Sequence, residues 1–60
     1  MRKVTITKAS GVGILTKAAD GKWDIELNGK KAQSSAHYDD AGVERIIAMS
    51  RAAGDKVEVE

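Results

Sequence analysis

The sequence predicts a two-layer α+β fold, in which one helix packs on one face of an antiparallel sheet. Apolar and polar residues alternate through the first half of the chain, which is typical of half-buried strands. Turn-forming residues separate the alternating runs, and the apolar spacing changes to a helical period in the second half. The predicted elements are a four-stranded meander with hairpin turns at 9–11, 20–21 and 28–29, a helix at about 40–53 and a short fifth strand at 56–60.

Three alternating runs define the first three strands and the sheet face that the helix covers. The apolar positions of these runs are Val4 and Ile6, then Val12, Ile14 and Thr16, then Trp23, Ile25 and Leu27. The turns between them contain Ala9-Ser10-Gly11, Asp20-Gly21 and Asn28-Gly29. The last two are strong hairpin signals, because a type I′ turn needs a positive φ at both central residues.

Loop lengths convert these turns into a predicted register, in which all the apolar positions share one face. We assign a three-residue loop to the first turn and two-residue loops to the other two. The predicted cross-strand pairs are Ile6 with Ile14, Ile14 with Leu27, Thr16 with Ile25, Lys17 with Asp24, Glu26 with Lys31 and Ile25 with Ala32. The opposite-charge pairs would each stabilise the open face, which is the face without the helix, by about 0.2–1 kcal/mol.

The helix is predicted from the spacing of Val43, Ile46, Ile47, Ser50 and Ala53. Asp39 is a candidate N-cap, and Asp40 adds a favourable negative charge in the first turn. Tyr38 and Val43 have the spacing of a hydrophobic staple, and Gly54 suits the position that ends the helix. Gly42 in the first turn weakens the helix slightly.

Strand direction leaves two possible places for the fifth strand, in which Val57 and Val59 alternate with charged residues. An antiparallel position beside strand 1 gives the order 5-1-2-3-4, which we favour. The alternative is a parallel position beside strand 4 through a right-handed crossover. Both solutions place Trp23 under the helix.

Size and charge limit the functions that this chain can perform. Its 60 residues form one domain, 1–60, which is too small for a multi-substrate enzyme with its own cofactor fold. Residues 1–31 have seven basic and three acidic side chains and residues 32–60 have three and six, so the two parts carry +4 and −3 within a total of +1. There is no Cys and no long apolar run, so we expect a soluble protein of a bacterial or host-cell cytoplasm.

The only residues that resemble a reactive cluster lie in the connection before the helix: Ser34, Ser35, His37, Asp39 and Asp40. A nucleophile, a base and an orienting group need convergent side chains, which one short connection does not easily provide. We interpret these residues as a strand end and a helix cap. No catalytic residue, metal site, cofactor or small-molecule substrate is predicted, and the glycines around Val12 do not match a phosphate-binding motif.

Protein binding is the preferred function, through a stripe on the exposed side of the helix. The stripe consists of Ala41, Arg45, Ala48 and Ala52, with Met49 at its border. Its small side chains would let a larger protein, or a second copy of the chain, approach closely. The acidic last strand and the open edge of strand 4, from Lys30 to Ser35, are further docking surfaces.

Nucleic-acid binding is the alternative, through the open face of the sheet. This face is predicted to present Thr5, Thr7, Leu15, Lys17, Lys22, Lys31 and Gln33, with Lys3 at its edge. The candidate phosphate contacts are Lys3, Lys17, Lys22 and Lys31. Asp24 and Glu26 would repel phosphate among them, and the face lacks the aromatic residues on which single-strand binders stack bases.

The layout of a tight meander closed by one helix resembles small proteins encoded by phages and mobile elements, including some inhibitors of host defence. This resemblance covers the whole chain in pattern but depends on no diagnostic motif. It implies a small modulator or inhibitor that acts by docking on a larger protein.

Overall fold

A computed structural model describes residues 1–31 and 38–60 and shows the predicted α+β architecture. The described part contains a five-stranded antiparallel sheet and one helix. The elements are β1 (Lys3–Lys8), β2 (Gly11–Lys17), β3 (Trp23–Leu27), β4 (Lys30–Lys31), α1 (Asp40–Ala52) and β5 (Lys56–Val59). Residues 32–35 of the predicted fourth strand, and the predicted pair of Ile25 with Ala32, lie outside the described residues.

The strand order is β4-β3-β2-β1-β5, which confirms the favoured topology. The parallel position for the last strand is wrong, because β5 pairs antiparallel with β1 and sets Val57 opposite Ile6. A helix of 13 residues is about 20 Å long, which suffices to return the chain along the sheet before β5 begins.

The predicted register of β2 is wrong by one residue on both of its sides. The first loop contains two residues, so Ile6 lies opposite Gly13 instead of Ile14. The second loop contains three, Ala19 to Gly21, and is closed by hydrogen bonds between Ala18 and Lys22 and from Gly21 to Ala18. Leu27 therefore also lies opposite Gly13. The two loop-length errors are one residue each and opposite in sign, so β1 and β3 have the predicted alignment with each other. Only β2 is shifted, by one residue relative to both neighbours.

This shift exchanges the two faces of β2. Leu15 is buried under α1, whereas Ile14 and Val12 lie on the open face. Lys17 moves to the covered face and lies opposite Trp23, so its predicted pair with Asp24 does not form. Asp24 instead lies opposite Thr16.

The third hairpin has the predicted register, with Glu26 opposite Lys31. Asn28 and Gly29 have φ angles of 52° and 80°, as a type I′ turn requires. The Asn28 side chain also accepts a hydrogen bond of 3.0 Å from the Val12 amide. This contact ties the third hairpin to the start of β2.

Both predicted ends of the helix are confirmed. Asp39 is the N-cap and accepts a hydrogen bond of 2.8 Å from the Gly42 amide. Gly54 follows the C-cap Ala53 and has a φ of 86°. A Cβ at Gly42 would lie 3.2 Å from the Tyr38 ring, so the missing side chain leaves room for this ring in the first turn.

The core lies between α1 and the sheet. Its buried apolar residues are Val4, Ile6, Leu15, Trp23, Val43 and Ile47, and Ile25, Tyr38, Ile46 and Val57 pack against them while remaining partly exposed. The helix α1 makes more contacts with β5 than with any other strand. The helix therefore lies nearer to one edge of the sheet than to β3.

Candidate protein-contact surface

Both aspartates of the suspected reactive cluster have structural roles, while Ser34, Ser35 and His37 lie outside the described residues. Asp39 caps the helix. Asp40 accepts hydrogen bonds from the Trp23 indole N–H at 2.8 Å and from the Lys17 ammonium group at 3.1 Å. These contacts join the sheet to the first turn of α1, which is also tied by a 2.9 Å hydrogen bond from the Trp23 amide to the Tyr38 carbonyl.

The hydrogen bonds to Asp40 favour its charged form. The indole of Trp23 first, and then the ammonium group of Lys17, lower the pKa of Asp40 below its ordinary value of 3.8. A carboxyl group whose pKa is lower in the folded state stabilises the fold above its unfolded pKa. This contribution is lost as the pH falls from about 3.8 through the folded pKa.

We expect the free energy of unfolding of Asp40→Asn to decrease less than that of the wild type as the pH is lowered. The variant should be less stable than the wild type at about pH 7, because its neutral amide binds Lys17 more weakly. The difference in free energy of unfolding should narrow as the pH falls below about 3.8, because the wild-type carboxylate then becomes protonated. Urea unfolding followed by circular dichroism at several pH values measures this difference, and a constant difference would contradict the expectation.

The four lysines proposed for nucleic-acid contact do not form one patch. Lys17 lies on the covered face and pairs with Asp40. Lys31 lies opposite Glu26 on the open face, and Lys3 lies on that face at the far side of the sheet, beside Glu60. Lys22 belongs to the loop before β3, where its amide donates to Asp20. Of the predicted members of the open face, Leu15 is buried under the helix and Gln33 lies outside the described residues.

The predicted helix stripe is fully on the surface. Its members, Ala41, Arg45, Ala48, Met49 and Ala52, are all exposed. Ala48 faces β5, where it contributes to a shallow depression with Met1 and Val59. Met49 faces the opposite side of the helix, so the stripe borders two different surfaces.

The side of the helix that carries Met49 forms one wall of an apolar groove of about 490 Å³. Ile46 and Ser50 complete this wall, while Ile25 and Leu27 of β3 contribute to the other. The floor contains Gly13 and Leu15 of β2. These residues together form the groove.

Two large apolar side chains at the groove remain open to water. Leu27 is 56% exposed and Met49 is 66% exposed, although both lie beside the buried core. The position of α1 near β5 accounts for this exposure, because the helix does not extend over the end of β3. Leu27 and Met49 therefore leave apolar surface on both walls of the groove.

Positive charge lies beside the groove. Lys30 is opposite Leu27 in the β3–β4 ladder, and Arg45 precedes Met49 by one helical turn. Both are exposed, and neither forms an ion pair within residues 1–31 and 38–60. Lys8, at one end of the groove, is paired with Asp55.

Sequence reasoning identified Met49 but missed the groove as a whole. The alternation in β3 correctly assigned Leu27 to the covered face, but it could not show that α1 leaves this end of the strand uncovered. The exposure of Leu27 depends on where the helix lies across the sheet. Gly13, which the structure places on the groove floor, was the one available signal, since a strand glycine often marks missing side-chain volume.

Residues 1–31 and 38–60 contain no cluster of three His, Asp or Glu side chains that could hold a metal ion. Within the same ranges, no helix is long and apolar enough to cross a membrane. No protein-family model, curated protein or solved structure matches this chain.

Proposed function

We propose that the protein is a non-catalytic binding module that docks on a larger protein through the groove. The observation that carries this proposal is the exposure of Leu27 and Met49 on opposite walls of one apolar depression. Burying two such side chains against a partner would contribute about 1.5–3 kcal/mol each if they became fully covered. The proposal retains the class suggested by the chain's layout, a small modulator or inhibitor acting in a cytoplasm.

The chemistry of the groove indicates what the partner presents. Its walls are apolar, so the partner inserts one or two large apolar side chains. Lys30 and Arg45 stand beside these walls without a carboxylate partner among the described residues, so acidic residues next to the inserted side chains would complement them. The occupant that we propose is therefore an apolar segment with acidic flanks on a larger protein.

Protein binding is supported better than nucleic-acid binding by the arrangement of charges. The candidate lysines are dispersed, and Lys17 is already paired with Asp40. The open face also presents Asp24, Glu26 and Glu58 between its basic residues. A surface of mixed sign gives a phosphate backbone little net attraction.

The first test uses 1-anilinonaphthalene-8-sulfonate, whose aromatic rings and single negative charge match an apolar groove with basic residues beside it. We expect the dye to shift the methyl resonances of Ile25, Leu27 and Met49 in nuclear magnetic resonance spectra. Met49→Glu should weaken dye binding about tenfold, because it introduces a charge into an apolar wall and repels the sulfonate. The matched control Ala52→Glu is on the same helix but outside the groove, and it should bind the dye like the wild type.

The second test asks whether a natural partner uses the same surface. Tagged wild-type protein, Met49→Glu and Ala52→Glu would each be used for capture from the native cytoplasm, with and without nuclease. The proposal expects a protein that survives nuclease and is retained by Ala52→Glu but lost with Met49→Glu. Recovery that depends on nucleic acid, or equal recovery by all three proteins, would contradict it.

A further inference from the structure

The outer edge of β5 offers unpaired backbone groups. Within the described residues β5 has a neighbour on one side only, which is β1. Lys3 and Glu60 exchange two backbone hydrogen bonds of 3.3 and 2.8 Å across this pair. Hydrogen-bonded pairs alternate with non-bonded pairs along an antiparallel ladder, so the amide and carbonyl groups of Val57 and Val59 point away from β1. Such an edge is a template for another strand.

The charges of β5 are complementary to those of β5 in a second copy of the chain, in one antiparallel register. When Val57 lies opposite Val57 of a second copy, Lys56 of each chain lies opposite Glu58 of the other. A register centred on Glu58 would set like charges opposite each other. A register centred on Val59 would set Glu58 opposite Glu60, which is also unfavourable. The favourable register lets the two Val57 residues exchange a pair of backbone hydrogen bonds.

The surface of α1 next to this edge is also complementary to its own copy when a two-fold axis passes through Val57. A two-fold axis at Val57 keeps both helices on one side of a continuous sheet and sets them antiparallel. Glu44 and Arg51 are seven residues apart on the side of α1 that faces β5, with Ala48 between them. The axis brings Glu44 of each copy towards Arg51 of the other, while the small Ala48 permits close approach.

Exposed apolar side chains border the same edge. Met1 is 45% exposed and Val59 is 44% exposed, and both line the depression that contains Ala48. In a contact with two-fold symmetry, Met1 and Val59 of both subunits would lie in the interface. The backbone groups, the charges and the apolar surface therefore all favour a second copy of the chain as the partner at the edge of β5.

We propose that two copies of the chain form a dimer by antiparallel pairing of β5 with β5, centred on Val57, to give one continuous sheet that contains the five described strands of each copy. This surface is separate from the groove, which lies on the other side of α1. The dimer thus presents two grooves, and its formation does not depend on the proposed docking function.

Charge reversal tests this register directly. Lys56 and Glu58 of one chain form an ion pair of 3.5 Å, but both side chains are highly exposed. Exposed ion pairs contribute only about 0–1 kcal/mol, so reversing either charge leaves the fold of a single chain intact. In Lys56→Glu homodimers, and equally in Glu58→Lys homodimers, every cross-strand charge pair becomes repulsive. We expect each variant to dimerise at least about tenfold more weakly than the wild type. An equimolar mixture of the two variants restores both attractive pairs and should form a heterodimer with wild-type affinity.

Sedimentation equilibrium measures these states as masses of 6.4 kDa or twice that value. Lys22→Glu serves as the matched control, because it reverses an exposed lysine in the loop before β3, away from β5, and should dimerise like the wild type. A wild-type protein that stays monomeric at millimolar concentration would overturn the proposal. Dimerisation that neither single variant weakens, or that the mixture does not restore, would overturn this register.

Discussion

Trp23→Ala should lower the free energy of unfolding by about 3–5 kcal/mol, the cost of removing a buried aromatic side chain. Trp23 is only 3% exposed and lies where β3, Tyr38 and the first turn of α1 meet. The whole free energy of unfolding of a 60-residue chain is about 3–9 kcal/mol. The expected loss is therefore a large part of the whole stability, so Trp23→Ala should unfold at a much lower temperature than the wild type, which thermal unfolding followed by circular dichroism would show.

Trp23→Phe keeps the prediction measurable if the alanine variant does not fold. The phenyl ring retains much of the apolar contact but cannot donate to Asp40, so we expect a smaller loss of about 1–2 kcal/mol. The wild-type fluorescence provides an independent check, because a buried indole emits at shorter wavelength than a hydrated one. Emission typical of fully hydrated tryptophan in the folded protein would contradict the position of Trp23.

Leu15→Ala should cost about 2–5 kcal/mol, whereas Ile14→Ala should cost only about 1 kcal/mol. The two residues are neighbours in β2, so each substitution controls for the other. Leu15 is 2% exposed in the core, but Ile14 is only partly buried on the open face. Urea unfolding of both variants measures the difference.

The register expected from the sequence would reverse this ranking, because it places Ile14 under the helix. A larger loss of stability for Ile14→Ala would therefore support the sequence-based register over the structural one, and equal losses would contradict the expected difference. The result also bears on Lys17, which can reach Asp40 only when Leu15 lies on the covered face.

The alternation within β2 could not decide its face, because both alternating sets contain large apolar residues. Val12, Ile14 and Thr16 form one set, and Gly13, Leu15 and Lys17 form the other. Turn chemistry was the remaining signal, and each of the two flanking turns allowed loops of two or three residues. Contacts distant in sequence agree with the observed choice: Asn28 binds the Val12 amide at one end of β2, and Asp40 binds Lys17 at the other.

For the candidate sites as well, the sequence predicted one part of the result and the tertiary structure was needed for the other. Helical periodicity was sufficient to place Ala41, Arg45, Ala48, Met49 and Ala52 on the exposed side of α1, because a regular helix fixes the direction of each side chain. It did not separate the two surfaces that this stripe borders. The groove depends on α1 lying nearer to β5 than to β3. The edge proposed for dimerisation depends on β5 having β1 as its only neighbour among the described residues.

Local chemistry in the sequence by itself determined the elements, the Asn28-Gly29 turn and both helix caps. These features depend on residues close together in the chain, whose preferred backbone angles and hydrogen bonds act over a few positions. Only the tertiary structure decided the face of β2, the partners of Asp40 and the exposure of Leu27. Each of these depends on how α1 and distant strands pack together, which short-range patterns do not specify.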